Sequence, residues 1–458
     1  MKRGVWGTRL GFYMAAIGAA FGLGSLWRFP FVVQENGGGA FVFVYFVVLV
    51  SIGIPLLVGE LLIGRITRRS AISAMKQISA QQASLKQQPT FYRHSRAVIA
   101  FVALFACVMI IGYYSVISGW VLHYLIHFLS MPFFDLSSST AGLMDGLRER
   151  GWLQALLASA HLLVVTIVVG KDFEEGLERF VGFVMPVFVL VLLFLLYQVS
   201  HLESVNRAVQ FFLYPDFTKL SLNSLGAAVG HACFTLSIGF GAMITFGSYL
   251  KSEARVPATG FRVAIMDSLT AILAGLMIFP LLFSSPISAS GPELLFQTVP
   301  IYFVESQGGK IFGLFFFLCL YLAALGASLS LIETVVANFV DTFKVTRAQA
   351  ALLAGVVCTL TILPPALGTS FLKSITVGRM GLLEVIDHLI VNWVLPLMAL
   401  AFSFIARRRL NEKVRREEFI VKDDPTSEII YHQWLILMKW VVPVVLLAGL
   451  LLQVIALF

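Results

Sequence analysis

Long apolar runs, broken by short polar connections, fill almost the whole chain. Measured against the twenty or so residues a helix needs to cross a bilayer, they predict eleven spans. These lie near 9–32, 39–66, 95–128, 152–170, 177–199, 223–250, 257–286, 310–342, 348–369, 379–406 and 430–457. Two spans are interrupted. The first contains Gly18, Gly22, Gly24, Arg28 and Pro30, and the sixth contains Ser237-Ile-Gly-Phe-Gly241. Glycine and proline weaken helices, and an unpaired backbone group in hydrocarbon costs several kcal/mol. Broken helices are therefore tolerated only where protein buries them or where they line a polar cavity. The two breaks lie five spans apart, in corresponding positions of two five-helix halves. An odd number of spans per half makes the second half enter the membrane inverted. Paired broken helices in such a repeat mark a solute site near the midplane of secondary transporters.

Composition agrees with an all-α polytopic membrane protein: 58% of residues are hydrophobic, 13% are charged, and the mean hydropathy is +0.88. Soluble domains carry about 25% charged residues. The whole chain, 1–458, reads as one transmembrane domain, with repeat one near 9–199, repeat two near 223–406, and an eleventh helix near 430–457. The first apolar segment is too long for a cleaved signal and lacks a cleavage pattern.

The net charge of +8 is not a nucleic-acid signature, because the basic residues cluster between spans and set orientation. Lys2, Arg3 and Arg9, the run from Arg65 to Arg96, and the run from Arg407 to Lys422 share one side, which makes that side cytoplasmic. The N-terminus is then inside and the C-terminus outside. Cys107, Cys233, Cys319 and Cys358 all fall inside spans and read as small core residues. No Asn-x-Ser/Thr acceptor occurs, which fits a bacterial inner membrane.

Several stretches resemble the neurotransmitter:sodium symporters, in their bacterial amino-acid transporter branch with eleven helices. They are Trp6, Arg9, Gly22-Leu-Gly24, Trp27-Arg-Phe-Pro30, Glu35-Asn-Gly-Gly-Gly-Ala40, Gly53-Ile-Pro55 with Glu60, Tyr113-Tyr114, Phe234-Thr-Leu-Ser-Ile-Gly-Phe-Gly241 and Asp387. The resemblance implies inverted five-helix repeats around a central site, in agreement with the span pattern.

It also implies a substrate. Freed amides near Leu23 and Gly24 form a positive helix end suited to a carboxylate, and Tyr114 contributes its hydroxyl. Gly22 stands where the family's monoamine carriers have an aspartate, so an amino acid is the implied ligand. Its amine faces the carbonyls of Ala20 and Phe234 with Thr235 and Ser237. Ile110, Phe234, Phe240 and Leu331, with Ala327 nearby, form an apolar side-chain pocket that favours a neutral, hydrophobic substrate. Bulky Phe240 favours aliphatic over indole side chains.

The implied first sodium site gathers the Ala20 carbonyl, Ser25, Thr235 and Asp267, all oxygen donors suited to a hard cation. Ser25 and Asp267 replace two asparagines of the common pattern, and Asp267 brings a formal charge into a span. An intramembrane aspartate is costly and functional by default. Chloride, the compensating anion of relatives with neutral sites, is then not expected. Tyr45 and Thr235 of that anion environment are kept, but His231 replaces a glutamine and Ala271 a serine or glutamate.

The implied second sodium site uses carbonyls at Gly18, Phe21 and Ala323 plus two side-chain hydroxyls of the eighth span. Aligned on Ala323 and Asp341, the hydroxyl positions are Gly326 and Ala327, so this site is weakened, lost or completed by water. Single-sodium symport and proton coupling through Asp267 or His231 both stay open. An amino-acid sensor that binds without transporting is the alternative from another class.

Arg28 and Asp387 match an outer gate pair, and Arg3 and Asp341 an inner one, with Trp6, Ser248 and Tyr249 alongside. Glu333 is expected to contact the inner half of the sixth span. No nucleophile–histidine pattern indicates an enzyme. The expected partners are a small amino acid and the lipid bilayer, with no nucleic acid. The sequence leaves the oligomeric state open.

Overall fold

The computed structural model describes residues 22–85, 90–130, 142–171, 176, 178–285, 291–306, 308–378, 380–421 and 424–455. The expected positions Arg3, Trp6, Gly18, Ala20 and Phe21 lie outside the described residues. The chain is all-helical. Nine described helices are long and apolar enough to cross a membrane, from Gly39–Thr67 to Pro425–Ile455. The first span is described from Gly22 onward and runs through Phe29–Glu35. The sixth is two short helices, Asn223–Thr235 and Ala242–Ser248.

The second to fifth and the seventh to eleventh expected spans are found with shifted ends. The third helix is longer than expected, Thr90–Ser130. Connections that the hydropathy pattern left plain contain helices of their own, including Ala71–Leu85, Val205–Leu213 and Leu294–Glu305. Ala71–Leu85 is too polar, Val205–Leu213 too striped and Leu294–Glu305 too short to register as a span.

Four of the π-helical turns, Gly24–Arg28, Leu49–Gly53, Ile390–Val394 and Leu437–Val441, end two residues before a proline: Pro30, Pro55, Pro396 and Pro443. A proline lacks the amide that would bond four residues back, and its ring clashes with that carbonyl. Widening the preceding turn relieves both. Pro186 and Pro280 sit inside helices that have no such turn, so proline alone does not force it.

The eighth span, Gly309–Phe343, is the centre of the bundle, with 78% of its apolar window buried, against 28% for the last span. It packs on the third, fourth, fifth and ninth spans. The second helix of the sixth span, Ala242–Ser248, lies against the second span. There a Cβ on Gly64 would stand 1.8 Å from the Ile244 carbonyl oxygen, and one on Gly247 would stand 2.3 Å from that of Leu61. Small residues bring these two backbones into contact, as is usual between membrane helices. All four cysteines are buried and free.

Candidate functional site

The sixth helix breaks because its backbone cannot continue as a helix. Ser237, Gly239 and Gly241 have φ values of +56°, +92° and +78°. Glycine adopts such values readily, whereas a serine does so only under constraint. The amide of Gly239, freed by the break, donates to Glu60 Oε1 at 2.7 Å, and Glu60 is 1% exposed. A Cβ on Gly239 would meet the Leu395 carbonyl at 2.5 Å. Glu60, noted in the sequence only as a matching position, is thus what holds the unwound segment.

In the first span the described backbone begins at Gly22, whose carbonyl accepts from the Ser25 and Leu26 amides. The Leu23 amide donates to the Tyr114 hydroxyl at 2.8 Å. That leaves the Tyr114 O–H proton available to another acceptor. A Cβ on Gly22 would lie 2.7 Å from Ala327 Cβ and 2.9 Å from the Tyr114 oxygen. A larger residue does not fit here without displacing one of them.

Between Gly22 and Gly24 of the first span and the break of the sixth lies a small cavity. Gly22, Gly24, Ile110, Tyr114, Phe234, Thr235, Ser237, Phe240, Ala327 and Leu331 line it, so the side-chain pocket expected from the sequence is gathered in one place. Its free space, about 20 Å³ to the centre of a water-sized sphere, suits a single water. Any larger guest requires the ring and aliphatic lining to move.

Next to this cavity is a polar cluster. Asp267 is fully buried, and its Oδ2 accepts from the Tyr45 hydroxyl at 3.1 Å. Tyr45 is also 3.3 Å from Thr235 Oγ1, and Ser25 and Thr235 face the same carboxylate. Asp267 Oδ1 has no hydrogen-bond partner. A buried carboxylate oxygen left this way calls for a cation or a proton, and the surrounding hydroxyls fit the hard cation.

The second expected ion site looks different. Ala323, Gly326 and Ala327 are buried in the eighth span without a side-chain oxygen among them. The next hydroxyl, Ser328, turns to the fourth span and lies 2.9 Å from His161 Nε2.

Arg28 lies directly above the cavity lining. Its Nε and Nη2 donate to Asp387 at 3.1–3.3 Å, and both residues are buried. Its guanidinium also lies 5.5 Å from the centre of the Phe234 ring. A second cavity, about 270 Å³, is lined by Trp120, Arg148, Glu293, Leu383 and Glu384, one turn from Asp387 along the tenth span. On that side Trp27 Nε1 donates to the Pro292 carbonyl at 2.6 Å, and Arg148 pairs with Glu293 at 3.0 Å. Burial pushes the Glu293 carboxyl up from its usual range more than Arg148 brings it down.

At the other end of the bundle, Asp341 accepts from the Ser70 amide and hydroxyl, both at 2.8 Å. It thereby caps the helix Ala71–Leu85. Arg3, the expected partner of Asp341, lies outside the described residues. Glu333 contacts the sixth span as expected, accepting from the Tyr249 hydroxyl at 2.7 Å. What the sequence did not disclose is Arg347, which closes on Glu333 at 2.5 Å and also donates to the Val169 and Lys171 carbonyls. An arginine at the start of a span reads as an orientation charge, and nothing in its neighbours signals a buried partner fourteen residues away.

Residues 3–137 and 131–457 match the sodium:neurotransmitter symporter family. The chain belongs to this family. It is a multi-pass membrane transporter of the sodium-dependent kind, and not an enzyme. It is 29% identical over 447 residues to an uncharacterised sodium-dependent transporter, YhdH, of Bacillus subtilis, covering 96% of both chains. A sodium-dependent nutrient amino acid transporter 1 of Drosophila melanogaster is 26% identical over 413 residues, which cover 75% of this chain and 62% of the relative. The crystal structure of MhsT in complex with L-phenylalanine superposes with a TM-score of 0.87 at 30% identity, over 98% of this chain and all of MhsT.

Proposed function

We propose that the chain is a sodium-coupled importer of neutral, hydrophobic amino acids that works by alternating access. The observation that carries this is one of placement. The ten cavity-lining residues come from the first, third, sixth and eighth spans, and they adjoin a buried oxygen cluster on one side and the Arg28–Asp387 pair on the other. The substrate carboxylate would take the Tyr114 proton and the amides near Leu23 and Gly24. The amine would face the carbonyls of Ala20 and Phe234 together with Thr235 and Ser237. The side chain would lie among Ile110, Phe234, Phe240, Ala327 and Leu331. MhsT binds L-phenylalanine, and an apolar lining of this kind accepts such a side chain, at the cost of moving Phe240.

One sodium ion would bind the Ala20 carbonyl, Ser25, Thr235 and Asp267. The second site, at Gly18, Phe21 and Ala323, would hold an ion weakly or not at all. Asp267 supplies the negative charge, so chloride would be dispensable. Arg28–Asp387 would close the site from outside and Asp341 with Arg3 from inside. We place these residues in a single transmembrane domain of two inverted five-span halves and an eleventh helix. It would sit in a bacterial inner membrane with the N-terminus cytoplasmic.

Uptake of labelled phenylalanine into proteoliposomes tests this. Accumulation is expected under an inward sodium gradient and not in potassium with an imposed pH gradient. Equal uptake in both salts along the pH gradient would replace sodium by the proton. Binding without counterflow would make the protein a sensor.

A further inference from the structure

His231 sits where the outer gate and the proposed ion site meet. It is fully buried on the outer half of the sixth span. Its Nδ1 lies 3.0 Å from Arg28 Nη1. A guanidinium can only donate, so Nδ1 is the acceptor and the imidazole is neutral, with its proton on Nε2. The ring stacks on Phe29, with centroids 5.1 Å apart and planes 14° apart, and packs on Tyr45 at 5.2 Å. Tyr45 is the residue that donates to Asp267. Through its carbonyl His231 also accepts from Thr235 Oγ1 at 3.2 Å. Arg28 therefore uses Nε and Nη2 for Asp387 and Nη1 for His231, and lies over Phe234 of the cavity lining.

We propose that His231 is a positioning residue that couples the ion cluster to the outer gate, by holding the Arg28 guanidinium in register with Tyr45 and Thr235. When Thr235 and Asp267 shift to take an ion, Tyr45 and the His231 carbonyl move with them. Nδ1 then carries that shift to the third arm of Arg28. Closure of the Arg28–Asp387 pair becomes sensitive to sodium rather than to substrate alone. The inference rests on the sodium-coupled reading above.

The test follows gate closure rather than uptake. Leu383 lines the outer cavity and is 6% exposed while the Arg28–Asp387 pair is formed, so the thiol of Leu383→Cys should meet an impermeant maleimide when the pair opens; the four native cysteines are buried. In this background sodium with phenylalanine should protect the thiol. His231→Gln keeps an acceptor for Arg28, whereas His231→Met fills a similar volume with only a weak one. The methionine variant should need about tenfold or more sodium for half-protection, the worth of one hydrogen bond to a charged group. The glutamine variant should stay within about threefold of the parent. Phenylalanine binding at saturating sodium should be retained in both. His231→Phe, which keeps the ring stack and loses the acceptor, should behave like methionine and serves if that variant misfolds. Unchanged sodium dependence in the folded apolar variants would overturn the inference and make His231 a packing residue. So would an equal loss in the glutamine variant. If the parent Leu383→Cys protein is protected by phenylalanine without any role for sodium, the sodium-coupled reading itself fails, and the coupling role falls with it.

Discussion

Asp267 and Ser328 are both polar residues buried in spans beside the cavity, and the molecule uses them in opposite ways. Around Asp267 the second, sixth and seventh spans bring Tyr45, Thr235 and a carboxylate together, with one carboxylate oxygen left open. Around Ala323, in the proposed second ion site, the eighth span offers only Gly326 and Ala327, and Ser328 is spent on His161 across a helix contact. If Asp267 supplies the charge for a single ion, as proposed, the eighth span needs no cation ligand of its own. A hydroxyl in hydrocarbon still needs a partner, so it serves as a fastener between helices instead. The contrast makes the proposed coupling single-ion, and it can be tested from either side.

The largest effect is expected from Asp267→Ala. Removing the charged ligand should raise the sodium needed for half-maximal phenylalanine binding by about 10- to 150-fold, equivalent to about 1.5–3 kcal/mol for an interaction with a charged group. Asp267→Asn keeps the shape and removes the charge, so its loss should be smaller in chloride than in gluconate. Sodium dependence unchanged by either substitution would remove the ion from this cluster and end the contrast.

A smaller effect is expected from restoring oxygen to the second site. Gly326→Thr with Ala327→Ser supplies the two missing hydroxyls, and the Hill coefficient for sodium should rise from about one toward two. The serine hydroxyl has to turn away from Gly22, since Ala327 Cβ already stands 2.7 Å from where a Gly22 Cβ would be. A coefficient already near two in the parent protein would show that carbonyls and water complete the second site without side chains.

How much of this was legible beforehand depends on whether a feature is local. The broken sixth helix is written in Gly239 and Gly241, and the cavity lining follows from family motifs that lie on consecutive turns. The π-turns were in principle visible too, because a proline follows each, at Pro30, Pro55, Pro396 and Pro443, yet Pro186 and Pro280 look the same in sequence and act differently. The buried pairs were not legible. Nothing near His161 indicates Ser328, 167 residues away, and nothing near His231 distinguishes an anion environment from a guanidinium partner. Such pairings are decided by which helix faces meet, and that is set by the packing of the whole bundle.

The smallest effect on sodium should come from Ser328→Ala, and its smallness is the point. If the hydroxyl belongs to His161 and not to an ion, half-maximal sodium should stay within about twofold of the parent, since no ligand is lost. Stability should fall instead. His161 is fully buried and its Nδ1 already lacks a partner, so the substitution strips the second ring nitrogen as well. Leaving a buried polar group unsatisfied costs about 1–3 kcal/mol, which thermal unfolding of the purified protein can read. His161→Phe in the same chain removes both partners together and should recover most of that loss, because an apolar pair carries no unmet hydrogen bond. A sodium shift in Ser328→Ala as large as that of Asp267→Ala would mean that the eighth span does hold an ion through this hydroxyl. The two polar residues would then share one task, and the case for a single ion would be lost.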